Sequence, residues 1–148
     1  MANFVMNIAK GRFAELCTMP LTADALLLIP VETAGVETDA VLKDLDTVTA
    51  FFAGTTNEQT TLGRKSITTG ITVVVDDTND WVDVDVPDQT WVAGTGNAIS
   101  DLLLAYDNDT AAGTDANIVP LSVHDFTVTP SGVDIVAVIA TAGILRAT

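Results

Sequence analysis

The stretch SITTGITVVVDDTNDWVDVDV, residues 66–86, decides the fold class. Its first ten residues are crowded with Thr, Ile and Val, whose branching at Cβ restricts χ1 and suits a pleated surface better than a helix. Residues 76–80, Asp-Asp-Thr-Asn-Asp, are turn formers, and 81–86 then alternate strictly. The expected unit is a hairpin with a loop five residues long, 76–80. In its second strand Val82, Val84 and Val86 share the buried face, which puts Trp81, Asp83 and Asp85 on the opposite one. Pro87 ends that strand.

The same texture continues downstream. Residues 98–106 are apolar on both parities, as an interior strand covered on two faces requires. Residues 107–115 read as a polar loop, 118–128 as one bent strand or two, and Pro130, Ser131 and Gly132 as a turn into a strand at 133–139. Upstream the pattern changes. Phe4, Val5, Ile8, Ala9, Phe13 and Leu16 recur at helical spacing interrupted by Gly11, so residues 3–17 read as a short helix or ordered arm. The run 25–31 reads as the first strand, confined by Pro30 to an edge or a strand end. Asp39 caps an expected helix carrying Val41, Leu45, Val48 and Phe52, with Gly54 as its stop. Together these elements predict a mainly β chain: an antiparallel sandwich or small barrel with one or two short helices in the N-terminal third. The expected organisation is a single domain over 1–148, with 1–17 a helical or extended docking arm.

Composition bounds the function. The 148 residues include 48% hydrophobic ones, so a chain with a formal charge of −14 still folds. No apolar run is long enough to span a bilayer as a helix, and the first residues lack a basic segment of the secretory type. Beyond residue 70 the only lysine or arginine is Arg146, against a dozen aspartates. Such a surface repels phosphate, which excludes nucleic acid and anionic membrane as partners of this half. The single cysteine, Cys17, excludes an internal disulfide and a cysteine zinc site.

Few residues offer chemistry. His124 precedes Asp125, but neighbours in a strand point to opposite faces, so Asp125 would not orient the imidazole, and no G-x-S-x-G motif is present. Neither His124 nor Cys17 is expected to be catalytic. Asp76, Asp77 and Asp80, and in the later loop Asp107 and Asp109, provide hard oxygen ligands of the type Ca²⁺ takes. Neither loop has EF-hand spacing, and solvated turns are the ordinary reading of both. No cofactor is expected. For contact with a partner protein the candidates are Trp81, on the wetter face of its strand, and the stripe Phe4, Ile8 and Phe13 with the basic Lys10 and Arg12. The alternative for Phe4 and Phe13 is closure of the chain's own core.

The order of features is also familiar. Asn7 to Lys10 as Asn-x-x-Lys, the apolar strand 25–31, a short helix around 42–48, Gly63-Arg64-Lys65, Asp76-Asp77-Thr78-Asn79 leading to Asp88-Gln89-Thr90-Trp91, then 102–106 and a closing Gly143-Ile144-Leu145 resemble a family of small tailed-phage virion proteins. Its members are described as head decoration or minor capsid proteins. They tend to carry an aromatic before the basic pair, where this chain has Leu62-Gly63, so nothing tied to that aromatic transfers. The resemblance implies a β-rich outer capsid protein assembled in the host cytoplasm, with the major capsid protein as partner. A small module gains avidity by engaging a symmetric lattice at several points, so a homo-oligomer, with a trimer favoured, is expected. The alternative is a secreted or surface β-sandwich that binds carbohydrate or calcium.

Overall fold

The computed structural model describes residues 2–140 and 142–147, the last of these by its backbone alone. In chain order the elements are β1 (Phe4–Val5), a 3₁₀ turn (Asn7–Ala9), α1 (Phe13–Cys17), β2 (Ala25–Glu32), α2 (Asp39–Leu42), α3 (Val48–Phe51), β3 (Lys65–Ile67) and β4 (Thr72–Asp76). There follow β5 (Trp81–Asp85), β6 (Gln89–Trp91), β7 (Ile99–Asp107), β8 (Val119–Val128), β9 (Ile135–Ala137) and β10 (Leu145–Ala147). The chain is mainly β, with antiparallel sheets in a sandwich-like arrangement.

The two most apolar runs lie side by side at the centre of a five-stranded sheet ordered β1-β8-β7-β2-β3. Cross-strand partners share a face. The register therefore puts Val5, Leu26, Leu28, Pro30, Leu102, Leu104, Ser122 and His124 on one side, and Phe4, Leu27, Ile29, Asp101, Leu103 and Val123 on the other. The first face looks toward a second layer made of the β10-β5-β4 sheet and the β6-β9 ribbon, since Leu28, Leu102 and His124 line a cavity with Ala137 and Ile144. The second face is covered by α2 and α3: Lys43, just past α2, lies over the Phe4 ring, and Val48 at the start of α3 donates its N–H to the Ile118 carbonyl. With both faces covered, every residue of β7 except Ser100 is buried, as its two-parity apolar sequence requires.

Three expectations are corrected, and one open reading is resolved. Pro30 does not mark a sheet edge: it pairs with Leu102 inside the sheet. Its carbonyl accepts from Gln59 N–H, so the nitrogen that lacks a hydrogen faces that same side, beyond the end of β3, and the ladder to β7 loses no donor. The run 66–75 divides between two sheets, turning at Gly70, so only its second part joins the hairpin; Asp76 pairs with Trp81, which leaves the loop as 77–80. The expected helix from Asp39 is two separate turns. Thr47 caps the second by accepting from Ala50 N–H at 3.1 Å, and Leu42, Val48 and Phe51 are buried while Val41 is exposed. β-Branched Thr47, Val48 and Thr49 break the period that one continuous helix would need. Residues 118–128 form one strand, bent where its register with β7 shifts between Leu104 and Ala105.

The N-terminal segment is neither a helix throughout nor a free arm. β1 pairs with β8, and Asn7 N–H bonds the Lys43 carbonyl. Met6, Ala9, Leu16 and Cys17 are buried along with Phe4 and Phe13. At the other end Gly143 adopts φ +83°, and a Cβ there would meet the Val84 carbonyl oxygen at 2.5 Å. That close approach lets Ile144 N–H bond Val84 at 2.8 Å and start β10 against β5.

Candidate functional site

The expected docking stripe is turned inward. Phe13 is 6% exposed and Phe4 9%, so their apolar surface closes the chain's own core, which is the alternative weighed from the sequence. The physical reason is that β1 supplies the edge pairing of β8 and cannot leave without exposing it. Ile8 is half-buried against the same core. Lys10 and Arg12 are exposed, and Lys10 Nζ donates to Asn7 Oδ1 at 2.7 Å.

Trp81 sits as its strand parity dictates, half-buried beside Asp83 and across from β10. Its ring is capped by the chain itself: the Arg146 guanidinium lies 4.0 Å from the ring centroid. The same guanidinium donates through Nε and Nη2 to both Asp83 oxygens at 2.6 Å. This fork explains how Asp83 is buried on the face expected to be wet. Arg146 is the one arginine or lysine of the C-terminal half, a signal the sequence contained but that periodicity could not pair.

A second fork lies at the opposite basic motif. Arg64 donates to Glu58 (Nε to Oε1, 2.8 Å; Nη2 to Oε2, 2.6 Å) and to Asp115 (Nη1 to Oδ1, 2.6 Å; Nη2 to Oδ2, 2.8 Å). The two carboxylates hold its proton more firmly than an isolated guanidinium would, and Arg64 in turn keeps Asp115 below the usual carboxylate range. Next to it, Lys65 stands over the Trp91 ring, whose Nε1–H bonds the Gly63 carbonyl at 2.9 Å. Gly63-Arg64-Lys65 thus pins two loops and a ribbon to the main sheet.

The aspartate loops satisfy themselves. Asp76 Oδ1 accepts from the N–H groups of Thr78 and Asn79, and Oδ2 from the Asn79 amide, which lowers its pKa. Asp107 accepts from Asp109 N–H, and Asp109 from Ala111 and Ala112 N–H. Asp77 and Asp80 are exposed at the hairpin tip, Asp80 with φ +56°. Among the described residues no group of three or more His, Cys, Asp or Glu is placed to hold a metal ion. No described helix is long and apolar enough to cross a membrane.

His124 has a partner that the Asp125 argument overlooked. Residues two apart on a strand share a face, and Ser122 Oγ lies 2.7 Å from His124 Nε2. The pair has the elements of a nucleophile and its base. Its environment opposes that use: Ser122 is 1% exposed, and burial lowers the His124 pKa to about 4, leaving a weak base at neutral pH. Cys17 is likewise buried, its thiol pushed up to about 12 and so held protonated. The imidazole borders a cavity of about 260 Å³ walled by Leu28, Leu102, Phe126, Ile139 and Ile144.

One exposed apolar feature was not anticipated. On the β6-β9 ribbon Trp91, Ile135 and Ala137 are buried, so alternation turns Thr90, Val92, Val136 and Val138 outward. Val92 is 77% exposed, Val138 73% and Val136 47%. The sequence signal was available in V-D-I-V-A-V, residues 133–138, whose valines fall on one parity once Ile135 is placed inside, apart from Val133 at the turn. Comparison of the chain with protein-family models, with curated proteins and with solved structures gives no match.

Proposed function

We propose that this chain is a non-enzymatic structural protein of a tailed-virus particle, a head decoration or minor capsid protein on the outer capsid surface that reinforces contacts between major capsid subunits. The observation that carries the reading is where the charges go. Of six lysines and arginines, five have partners within the chain: Arg64 and Arg146 on carboxylates, Lys43 and Lys65 over rings, and Lys10 on Asn7. Three of the twenty acidic residues, Glu58, Asp115 and Asp83, pair with those arginines, and the net formal charge of −14 sets the potential outside the fold. An exterior of that sign is repelled by packaged nucleic acid and suits the outward side of a shell. The order of motifs that resembles small virion proteins supports the same assignment. On this reading the chain attaches as a symmetric oligomer, a trimer, so that several weak contacts act together.

The test is to assemble particles with and without the chain. Detection of the chain on the particle surface by mass spectrometry, together with a higher temperature of particle disruption, is the expected result. Particles that never carry it, and whose heat resistance is the same without it, would refute the assignment.

A further inference from the structure

We infer that the outward face of the β6-β9 ribbon, Thr90, Val92, Val136 and Val138, is the surface by which this chain docks on another protein, and that the partner presents an aliphatic surface bordered by lysine or arginine. The inference rests on the proposed attachment for its setting and on three features of the chain for its content.

First, the face is an unusual place for valine. Alternation on a two-stranded ribbon leaves one face to solvent, and there, on a chain of formal charge −14, stand Val92 and Val138, the two most exposed large apolar side chains among the described residues. Second, the face is held rigid. Trp91 is anchored through its indole N–H to Gly63, Asp134 Oδ1 accepts from Ala93 N–H at 2.8 Å, and Asp88 Oδ1 accepts from Ile139 N–H at 2.7 Å. Gly94 and Val133 close the ribbon's turn with a further backbone bond of 2.9 Å. A patch ordered beforehand loses little conformational entropy on binding.

Third, charge selects the occupant. Asp88 and Asp134 stand at the two ends of the valine face, and Lys65, which shares a groove with Val92, is held over the ring of the buried Trp91. A second copy of this chain would bring its own two aspartates and a formal charge of −14 against the same rim. A partner whose apolar surface is edged by basic groups is instead drawn in and held in register. The ribbon is thus an apolar centre with an acidic rim, the layout of a protein interface.

The test places a photo-crosslinking amino acid, p-benzoylphenylalanine, at Val138 in the full chain, with Val41 as an exposed control site outside the ribbon. The producing cells are irradiated at low and at moderate salt during lysis, and the adducts are sequenced. Adducts from Val138 and not from Val41, mapping to an aliphatic surface bordered by lysine or arginine and weakening at least several-fold as salt rises, are expected. Adducts to a second copy of this chain, or adducts no more frequent than at Val41, would overturn the inference. The paired variant Val92→Ser, Val138→Ser keeps the buried side of the ribbon, so its circular dichroism and melting should match the wild type while attachment falls at least tenfold. Unchanged attachment to particles would overturn the ribbon inference and leave the virion reading standing. Val138 adducts to a basic-edged protein that is no part of a particle would support the ribbon and refute the virion reading.

Discussion

His124 should make the stability of this protein fall as the pH drops from 6.5 toward 4, with most of the loss above the range in which ordinary carboxylates take up protons. In the unfolded chain the imidazole takes up a proton near its ordinary value of 6.5, whereas in the folded chain burial delays this to about 4. Between those limits the unfolded state binds the extra proton, so falling pH favours unfolding. Moving a histidine midpoint from 6.5 to about 4 corresponds to about 3 kcal/mol. Because the ring borders an open cavity, relaxation and water entry should reduce this, and about 2 kcal/mol is the expected loss. Charged neighbours of those walls are Asp125 and Arg146, and Arg146 is engaged by Asp83. The variant His124→Gln keeps a polar partner for Ser122 but cannot titrate. Urea unfolding of both proteins at pH 7, 6, 5 and 4.5 gives the difference in stability at each pH, from which the contributions of the other groups largely cancel. That difference should change by about 2 kcal/mol from pH 7 to pH 4.5 in the direction of the variant. A constant difference would refute the placement of a half-buried neutral imidazole.

The remaining predictions concern other parts of the fold. Asp101 is buried, with no partner for Oδ1 among the described residues, and burial raises its pKa; a carboxyl that binds its proton more firmly folded than unfolded contributes stability that falls as pH rises above the ordinary carboxylate value. Asp101→Asn should therefore stabilise the protein by about 1 kcal/mol or more at pH 7 and bring no gain at pH 3, read as the change in melting temperature. Phe13→Ala should cost about 3–5 kcal/mol, a large part of a domain's stability, and deletion of residues 2–16 should abolish the folded state by circular dichroism; a truncated chain that melts cooperatively would show that the segment is an arm after all. In the Arg64 fork, Glu58→Gln should cost more than Asp115→Asn in denaturant unfolding, about 1–2 against less than about 1 kcal/mol, because the Asp115 side chain is 41% exposed and that of Glu58 15%. The melting temperature should rise between low and moderate NaCl as the self-repulsion of −14 charges is screened, and equal ionic strength of CaCl₂ should add little further.

Strand content was legible because it is a local matter. The alternation 81–86 placed Val84 and Val86 inside, and the two-parity run 98–106 announced a central strand, since both patterns follow from the twofold period of a pleated chain. The helical segments were not legible in the same way. Val41, Leu45, Val48 and Phe52 fit one helical stripe, but the chain breaks at 43–47 and each short turn takes its own phase, burying Leu42, Val48 and Phe51. Which layer covers which face depends on contacts distant in sequence: Arg64 with Asp115, Arg146 with Asp83, β1 with β8. The candidate surface was hidden for the same reason. Val92, Val136 and Val138 look like strand core until Trp91, Ile135 and Ala137 are seen to occupy the inner face. The inward fate of Phe4 and Phe13 was available as an alternative, but helical spacing alone could not tell a core stripe from a docking stripe.

The most direct test is quantitative attachment of the purified chain to particles assembled without it, measured by co-sedimentation over a range of chain concentrations. The account predicts saturable binding to the outer surface at a fixed ratio to capsid subunits, arriving as a symmetric oligomer and raising the temperature at which particles release their nucleic acid. Absence of saturable binding, with particle disruption at the same temperature, would contradict it.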